Sequence, residues 1–165
     1  MVITRFLAPV IGMAAVAAAV LVPATADAAG FAPIRNVDSH LCVQGQTSGE
    51  SSLIVAGCNE SPAQRWIFVP VPGTNDWQIL NQGSGFCVYM NGPIANGSPV
   101  IQTGCGNVSN ESWKNSTPPA ITTIMSRAGR RDTDLCLTPE FPAAGALVDI
   151  NTCTGSANQL WSIGV

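Results

Sequence analysis

Along the chain, short stretches rich in β-branched and aromatic residues alternate with clusters of glycine, asparagine, proline and serine. This pattern predicts short strands joined by tight turns. The clearest predicted strands are Trp66 to Val71, Trp77 to Leu80, Pro99 to Thr103 and Leu147 to Ile150. No long helical period appears after residue 28. Many short strands with regular turns indicate an all-β fold that closes on itself, since closure removes exposed sheet edges.

The N-terminal segment differs from the rest of the chain. A basic Arg5 precedes the apolar stretch Phe6 to Val22, and Ala26-Asp27-Ala28 fits the small-x-small pattern of a signal peptidase site. These features predict a signal peptide over residues 1–28 and a secreted, extracellular domain over residues 29–165. A retained membrane anchor is the alternative, but the apolar run is short for a spanning helix. We therefore expect no membrane insertion of the mature protein.

The strongest signal is a repeated spacing of cysteine and tryptophan. A tryptophan follows a cysteine by eight positions three times: Cys58 and Trp66, Cys105 and Trp113, Cys153 and Trp161. Partner cysteines precede those cysteines by 16, 18 and 17 positions: Cys42, Cys87 and Cys136. This spacing predicts three repeats, roughly residues 31–71, 77–117 and 121–165. Counting alone allows fifteen pairings of six cysteines, but the repeat symmetry favours one disulfide within each repeat, Cys42 with Cys58, Cys87 with Cys105 and Cys136 with Cys153.

Two of the tryptophans close a Gln-x-Trp motif. Gln64-Arg65-Trp66 and Asn158-Gln159-Leu160-Trp161 resemble the signature of the ricin B-chain lectin family, and Asn110-Glu111-Ser112-Trp113 is a variant of it. The resemblance spans the whole predicted mature chain. It implies a β-trefoil, in which three four-stranded repeats with pseudo-three-fold symmetry form a barrel capped by three hairpins. The implied activity is carbohydrate binding without catalysis.

The tryptophans of the motif need no ligand to explain them. Trp66, Trp113 and Trp161 are interpreted as core residues rather than as platforms for a sugar ring, because large aromatic side chains at repeated positions usually fill a core. These tryptophans therefore indicate the fold, and any sugar-binding residues must be sought at other positions.

The positions that bind sugar in the resembled family are altered in all three repeats. An Asp usually stands two residues after the first cysteine of a repeat, where this chain has Gln44, Tyr89 and Thr138. A stacking aromatic usually stands two residues before the second cysteine, where this chain has Ala56, Thr103 and Asn151. A ligand hydroxyl buried without its acceptor costs about 1–3 kcal/mol, so ordinary galactose recognition is in doubt.

The third repeat keeps the most polar set of positions. Its candidate carbohydrate-binding residues are Thr138, Asp149, Asn151, Asn158 and Gln159. The hypothesis is that Asp149 supplies the carboxylate that position 138 lacks; the alternative is that Asp149 is a solvated loop carboxylate. In the first repeat the corresponding positions are largely apolar. The second offers one aromatic, Tyr89, with Asn110 and Glu111 in unusual places.

Charge and residue types narrow the remaining classes of function. The net charge of −3 argues against nucleic acid as a partner, which needs a basic surface. No Cys-x-x-Cys pair is present and His40 is the sole histidine, so we expect neither a metal nor a cofactor. Glu140 and Asp149 could form a glycosidase pair, but the sequence does not indicate their separation, and an enzyme is not expected. The competing interpretation is a trefoil that has lost its sugar sites and binds a separate secreted protein, for example as a toxin-accessory subunit.

Overall fold

The computed structural model describes residues 30–106 and 109–165, so the predicted signal peptide lies outside the described residues. The first repeat contains strands β1 (Ala32–Asn36), β2 (Cys42–Gln44), β3 (Ser51–Ser52), β4 (Ile54–Ala56) and β5 (Arg65–Pro70). The second contains β6 (Trp77–Asn81), β7 (Cys87–Met90), β8 (Ser98–Thr103) and β9 (Trp113–Lys114). The third contains β10 (Ala120–Thr122), β11 (Met125–Ser126), β12 (Leu135–Pro139), β13 (Val148–Thr152) and β14 (Trp161–Ile163).

The first and last strands of each repeat form a closed barrel. Antiparallel pairing runs from β14 to β1, from β1 to β5, from β5 to β6 and from β6 to β9. The ring continues from β9 to β11 and closes from β10 to β14, with β10 and β11 acting as two parts of one interrupted strand. Within the described residues this closure leaves the barrel without an unpaired edge, which the alternation of short strands and turns predicts.

The two middle strands of each repeat form a hairpin that caps the barrel. The hairpins pair β2 with β4, β7 with β8 and β12 with β13. They also pair with one another, because β8 contacts both β3 and β13. The result is an all-β trefoil of three repeats, as the sequence predicts.

The three motif tryptophans occupy equivalent places in the core. Trp66, Trp113 and Trp161 are each 0% exposed. Each indole Nε1 donates to the carbonyl oxygen of the residue that follows the first cysteine of its repeat, Val43, Val88 or Leu137, over 3.0 Å in all three cases. A buried indole N–H needs such an acceptor. The shared contact ties the last strand of each repeat to its own hairpin.

Three disulfides complete the repeats. Cys42 is bonded to Cys58, Cys87 to Cys105 and Cys136 to Cys153. The pairing predicted from repeat symmetry is confirmed. Each bond joins the start of a hairpin to the loop that leads into the last strand of the same repeat.

Candidate carbohydrate-binding site

The β12–β13 hairpin brings part of the predicted third-repeat site together. Thr138 lies opposite Asp149 in the register, and Cys136 lies opposite Asn151. Residues two apart in a strand share a face, so Thr138, Asp149 and Asn151 lie on one face of the hairpin. The opposite face carries Leu137 and Ile150, which are buried in the core.

Asp149 is a largely buried residue whose carboxylate still reaches the surface and has no partner among the described residues. It is 8% exposed, and its side chain makes no hydrogen bond or ion pair with any described residue. Burial raises the pKa of its carboxyl above the ordinary aspartate value, and the nearby Glu140 carboxylate raises it further. A buried carboxylate that lacks a partner is costly. It is also the chemical group that can accept hydrogen bonds from a ligand.

The other two buried carboxylates of the described chain each have a hydrogen-bonding partner. The Oδ1 atom of Asp76 accepts from Arg127 Nε at 2.9 Å. Both carboxylate oxygens of Glu111 accept from the backbone N–H of Gly106, at 3.0 and 2.9 Å, and one also accepts from the Gln78 amide at 2.8 Å. Asp149 therefore stands apart within residues 30–106 and 109–165.

Thr138 and Gln159 are hydrogen-bonded to each other beneath the surface. The Gln159 Nε2 donates to Thr138 Oγ1 at 3.0 Å and to the Thr152 carbonyl at 2.9 Å, while its Oε1 accepts from the Thr154 N–H at 2.7 Å. Thr138 in turn donates to the Cys136 carbonyl at 2.8 Å. Both donor hydrogens of the Gln159 amide are used inside the protein. These two residues hold the loop after Cys153 rather than present polar atoms to a ligand.

The same loop contact recurs in the other repeats, which explains the Gln-x-Trp glutamine. Gln64 Oε1 accepts from the Asn59 N–H at 2.8 Å, and its Nε2 donates to the Gly57 carbonyl at 2.9 Å. In the second repeat Glu111 accepts the equivalent N–H of Gly106, and Gln78 donates both to Glu111 and to the Gly106 carbonyl. The first residue of the motif, which is Gln64, Glu111 or Gln159, is thus structural in all three repeats.

Asn158 lies on a neighbouring concavity rather than beside Asp149. This concavity measures about 300 Å³, and its lining includes Asp38, Glu140, Phe141 and Asn158. The Asn158 Oδ1 accepts from Ser156 Oγ at 2.6 Å, which leaves the amide N–H₂ without a partner among the described residues. Phe141 is 49% exposed. Asp149 and Asn151 do not line this concavity.

Sequence reasoning missed two features of this concavity. It considered Glu140 only as a glycosidase partner and did not consider Phe141. The structure places a carboxylate and an exposed aromatic ring beside the Asn158 amide, the three kinds of group that recognise a sugar. The available signal was Phe141 itself, an aromatic residue between Glu140 and Pro142.

The first and second repeats have concavities on the corresponding hairpin faces. The first measures about 300 Å³ and is lined by Gln44, Gln46, Ile54 and Ala63 among others, with neither a carboxylate nor an aromatic ring. The second measures about 370 Å³ and contains Tyr89, Asn91 and Glu111, together with Glu50 of the first repeat. The Glu50 carboxylate accepts a short hydrogen bond from the Thr103 hydroxyl. The first repeat therefore offers the least sugar-binding chemistry of the three.

Residues 75–165 match the ricin-type β-trefoil lectin domain, and residues 22–103 match the ricin-type β-trefoil lectin domain-like family. The chain belongs to the ricin-type β-trefoil lectin family. Its members form carbohydrate-binding modules, which are generally not enzymes. None of the curated proteins matches this chain in sequence.

Solved structures share the fold of this lectin domain at low sequence identity. The designed three-fold symmetric protein ThreeFoil is 19% identical with a TM-score of 0.73, covering 82% of this chain and 99% of its own. The ricin B-like lectin of Macrolepiota procera, solved with lactose, is 16% identical with a TM-score of 0.67, covering 82% and 95%. The cytolethal distending toxin of Haemophilus ducreyi is 16% identical with a TM-score of 0.65, covering 85% and 86%. These likenesses concern the fold.

Two classes of feature are missing from the described part of the lectin domain. No helix there is long and apolar enough to cross a membrane. Within the same residues, no group of three or more histidine, cysteine or acidic side chains could hold a metal ion.

Proposed function

We propose that this protein is a secreted lectin that binds a glycan through its third repeat, with the Asp149 carboxylate as the principal acceptor. The observation that carries the proposal is that Asp149 is 8% exposed and has no partner among the described residues. An ionised carboxylate in that position gains most when a ligand donates hydrogen bonds to it, and two neighbouring sugar hydroxyls are suitable donors.

The surroundings of Asp149 support a site that extends along the hairpin. Asn151 lies two residues further along the same face, and its side chain makes no hydrogen bond with a described residue. The adjacent concavity adds the Asn158 amide and the exposed ring of Phe141. We infer that one sugar unit contacts Asp149 and that a second unit, or a substituent, extends towards Phe141. The proposal assigns binding and no catalytic step.

A glycan array with matched variants tests the proposal. Asp149→Asn keeps the shape of the side chain and removes its charge, and Asn158→Ala removes the amide. We expect Asp149→Asn to weaken the strongest glycan signals about tenfold or more, as the loss of a charged hydrogen-bonding group implies. The control is Glu60→Gln, which removes an exposed carboxylate from the loop after Cys58 in the first repeat. Unchanged binding in both third-repeat variants would contradict the proposed site.

The second candidate function is a protein-binding trefoil. It is favoured by the first repeat, whose concavity has neither a carboxylate nor an aromatic ring. Under this alternative the array shows no specific signal for the unaltered protein, and the protein co-purifies from culture medium with a second secreted chain. Elution from an immobilised sugar by free sugar would instead favour the lectin.

A further inference from the structure

A concavity of about 210 Å³ lies apart from the three hairpin faces and shares no lining residue with their concavities. Its polar lining consists of Thr74, Asp76, Ser109, Ser112 and Arg130. These residues come from the connection between the first two repeats, from the 3-10 turn Ser109–Glu111 and the residue after it, and from the 3-10 turn Ala128–Arg130. The concavity thus forms where three segments from different repeats meet.

The Ala128–Arg130 turn breaks the three-fold symmetry at this place. The connection between the first and second strand positions is residues 37–41 in the first repeat and 82–86 in the second. In the third repeat it is residues 127–134, which is three residues longer. The extra residues carry Arg130 to the concavity. The site therefore has no counterpart among the hairpin faces.

Basic residues concentrate around this turn. Of the six basic residues after position 29, Lys114, Arg127, Arg130 and Arg131 belong to this region. Arg127 pairs with Asp76 and Asp132, and Lys114 Nζ lies 3.0 Å from Asp132. Arg130 and Arg131 are exposed and form no ion pair with a described residue. Only Arg130 of these two lines the concavity.

The remaining polar groups of the concavity can accept or donate hydrogen bonds. Ser112 is 7% exposed, and its hydroxyl has no partner among the described residues. Asp76 is 4% exposed; Arg127 neutralises its charge through one carboxylate oxygen, while the other accepts no hydrogen bond from a described residue. The concavity thus combines a guanidinium, a carboxylate oxygen and a hydroxyl that have no partner among the described residues.

We propose that this concavity is a second binding site, for a sugar unit that carries a carboxylate. The Arg130 guanidinium matches a ligand carboxylate in a two-point hydrogen bond. Ring hydroxyls of the same unit donate to Asp76 and exchange hydrogen bonds with Ser112. The volume is below the roughly 300–1,000 Å³ of pockets for drug-sized ligands, so the site fits one sugar unit, such as a hexuronic acid at a chain end. The site is independent of the one around Asp149.

Nuclear magnetic resonance titration of the disulfide-bonded protein tests this site. The probes are methyl glucuronide, its neutral counterpart methyl glucoside, and sodium acetate. We expect methyl glucuronide to shift the backbone amides of residues 74–76, 109–112 and 130, and to bind at least about tenfold more tightly than either other probe. Equal binding of the glucoside, equal binding of acetate, or no binding of the glucuronide would each overturn the proposal.

Two variants of adjacent arginines sharpen the test. Arg130→Gln removes the cation from the concavity, and we expect it to weaken glucuronide binding about tenfold or more. Arg131→Gln removes the same charge from a neighbouring exposed residue outside the lining, and binding should stay within about twofold. Equal losses in the two variants would overturn the proposal, because they would indicate an unspecific effect of net charge. Asp149→Asn should leave glucuronide binding at this site unchanged. The proposal for this concavity can therefore fail or succeed independently of the proposal for the third-repeat site.

Discussion

Asp149 combines two properties that oppose each other in the free protein. Its position on the β12–β13 hairpin allows it to accept hydrogen bonds from ligand hydroxyls. Its burial, however, makes the ionised form of its carboxyl unfavourable. The pKa of Asp149 is raised, so the folded protein holds the proton more tightly than the unfolded chain does. Ionised Asp149 therefore destabilises the folded state, and this cost disappears once the pH falls below the ordinary aspartate value of about 4. A binding residue that costs stability is typical of a functional site.

Asp149→Asn should accordingly make the protein more stable at pH 7 while it weakens glycan binding. The gain in the free energy of unfolding should shrink as the pH falls through the raised pKa of Asp149 and vanish below the ordinary aspartate value. Urea denaturation of both proteins at pH 7 and near pH 3 measures the difference. A variant that is less stable at pH 7 than the unaltered protein would show that Asp149 has a stabilising partner.

At the scale of the strands, sequence reasoning came within a few residues of the structure. The predicted strand Trp66 to Val71 corresponds to Arg65–Pro70, and Leu147 to Ile150 corresponds to Val148–Thr152. The clusters of turn residues predicted the strand ends well, because glycine, proline and asparagine determine the backbone conformation of their own turn. The division of the first strand of the third repeat into β10 and β11 was not predicted, since it depends on pairing with two distant strands, β14 and β9.

The second repeat shows how one strand compensates for a change in a neighbouring loop. Glu111 stands where the other repeats have glutamine, and Gln78 of β6 donates both to Glu111 Oε2 and to the Gly106 carbonyl, each at 2.8 Å. Gln78→Ala removes both donors and leaves a buried carboxylate with fewer partners. We expect the free energy of unfolding to fall by about 1–3 kcal/mol.

Adding Glu111→Gln to Gln78→Ala should restore part of this loss. The new amide could donate to the loop backbone, as Gln64 and Gln159 do in the other repeats. A double-mutant cycle in urea measures the coupling between the two positions, expected at about 0.5–3 kcal/mol for residues in contact. Strictly additive effects would show that the two side chains do not compensate for each other.

At the scale of the whole molecule, the repeat made the fold predictable and the site only partly so. Equal spacing of cysteine and tryptophan predicted the disulfides and the buried core because all three repeats must obey the same geometry. The candidate site lacks that redundancy. The sequence placed Gln159 with Asp149 and Asn158, but Gln159 turns inward to hold its loop, and Asn158 lies on a neighbouring concavity with Phe141. Which way a polar side chain turns depends on hydrogen bonds that no spacing in the sequence reveals.

The three disulfides distribute their stabilisation evenly over the molecule. Each closes a loop of 16 to 18 positions within one repeat. In the chain-entropy model, a loop of this length contributes about 3 kcal/mol. Three variants each replace one bonded pair by alanine: Cys42 and Cys58, Cys87 and Cys105, or Cys136 and Cys153. Each variant should lower the free energy of unfolding by about 3 kcal/mol, and the three losses should be alike. Urea denaturation under oxidising conditions measures each loss.

A loss below about 1 kcal/mol in one variant alone would contradict the expected equal contribution of the three disulfides. The sum over three disulfides, roughly 9 kcal/mol, is comparable with the whole stability of a typical domain. Full reduction should therefore unfold the protein, whereas loss of a single bond should leave it folded. Cys136 lies in β12 and Cys153 directly follows β13. Their replacement should therefore also weaken glycan binding at the third repeat, and replacement of Cys42 and Cys58 should not.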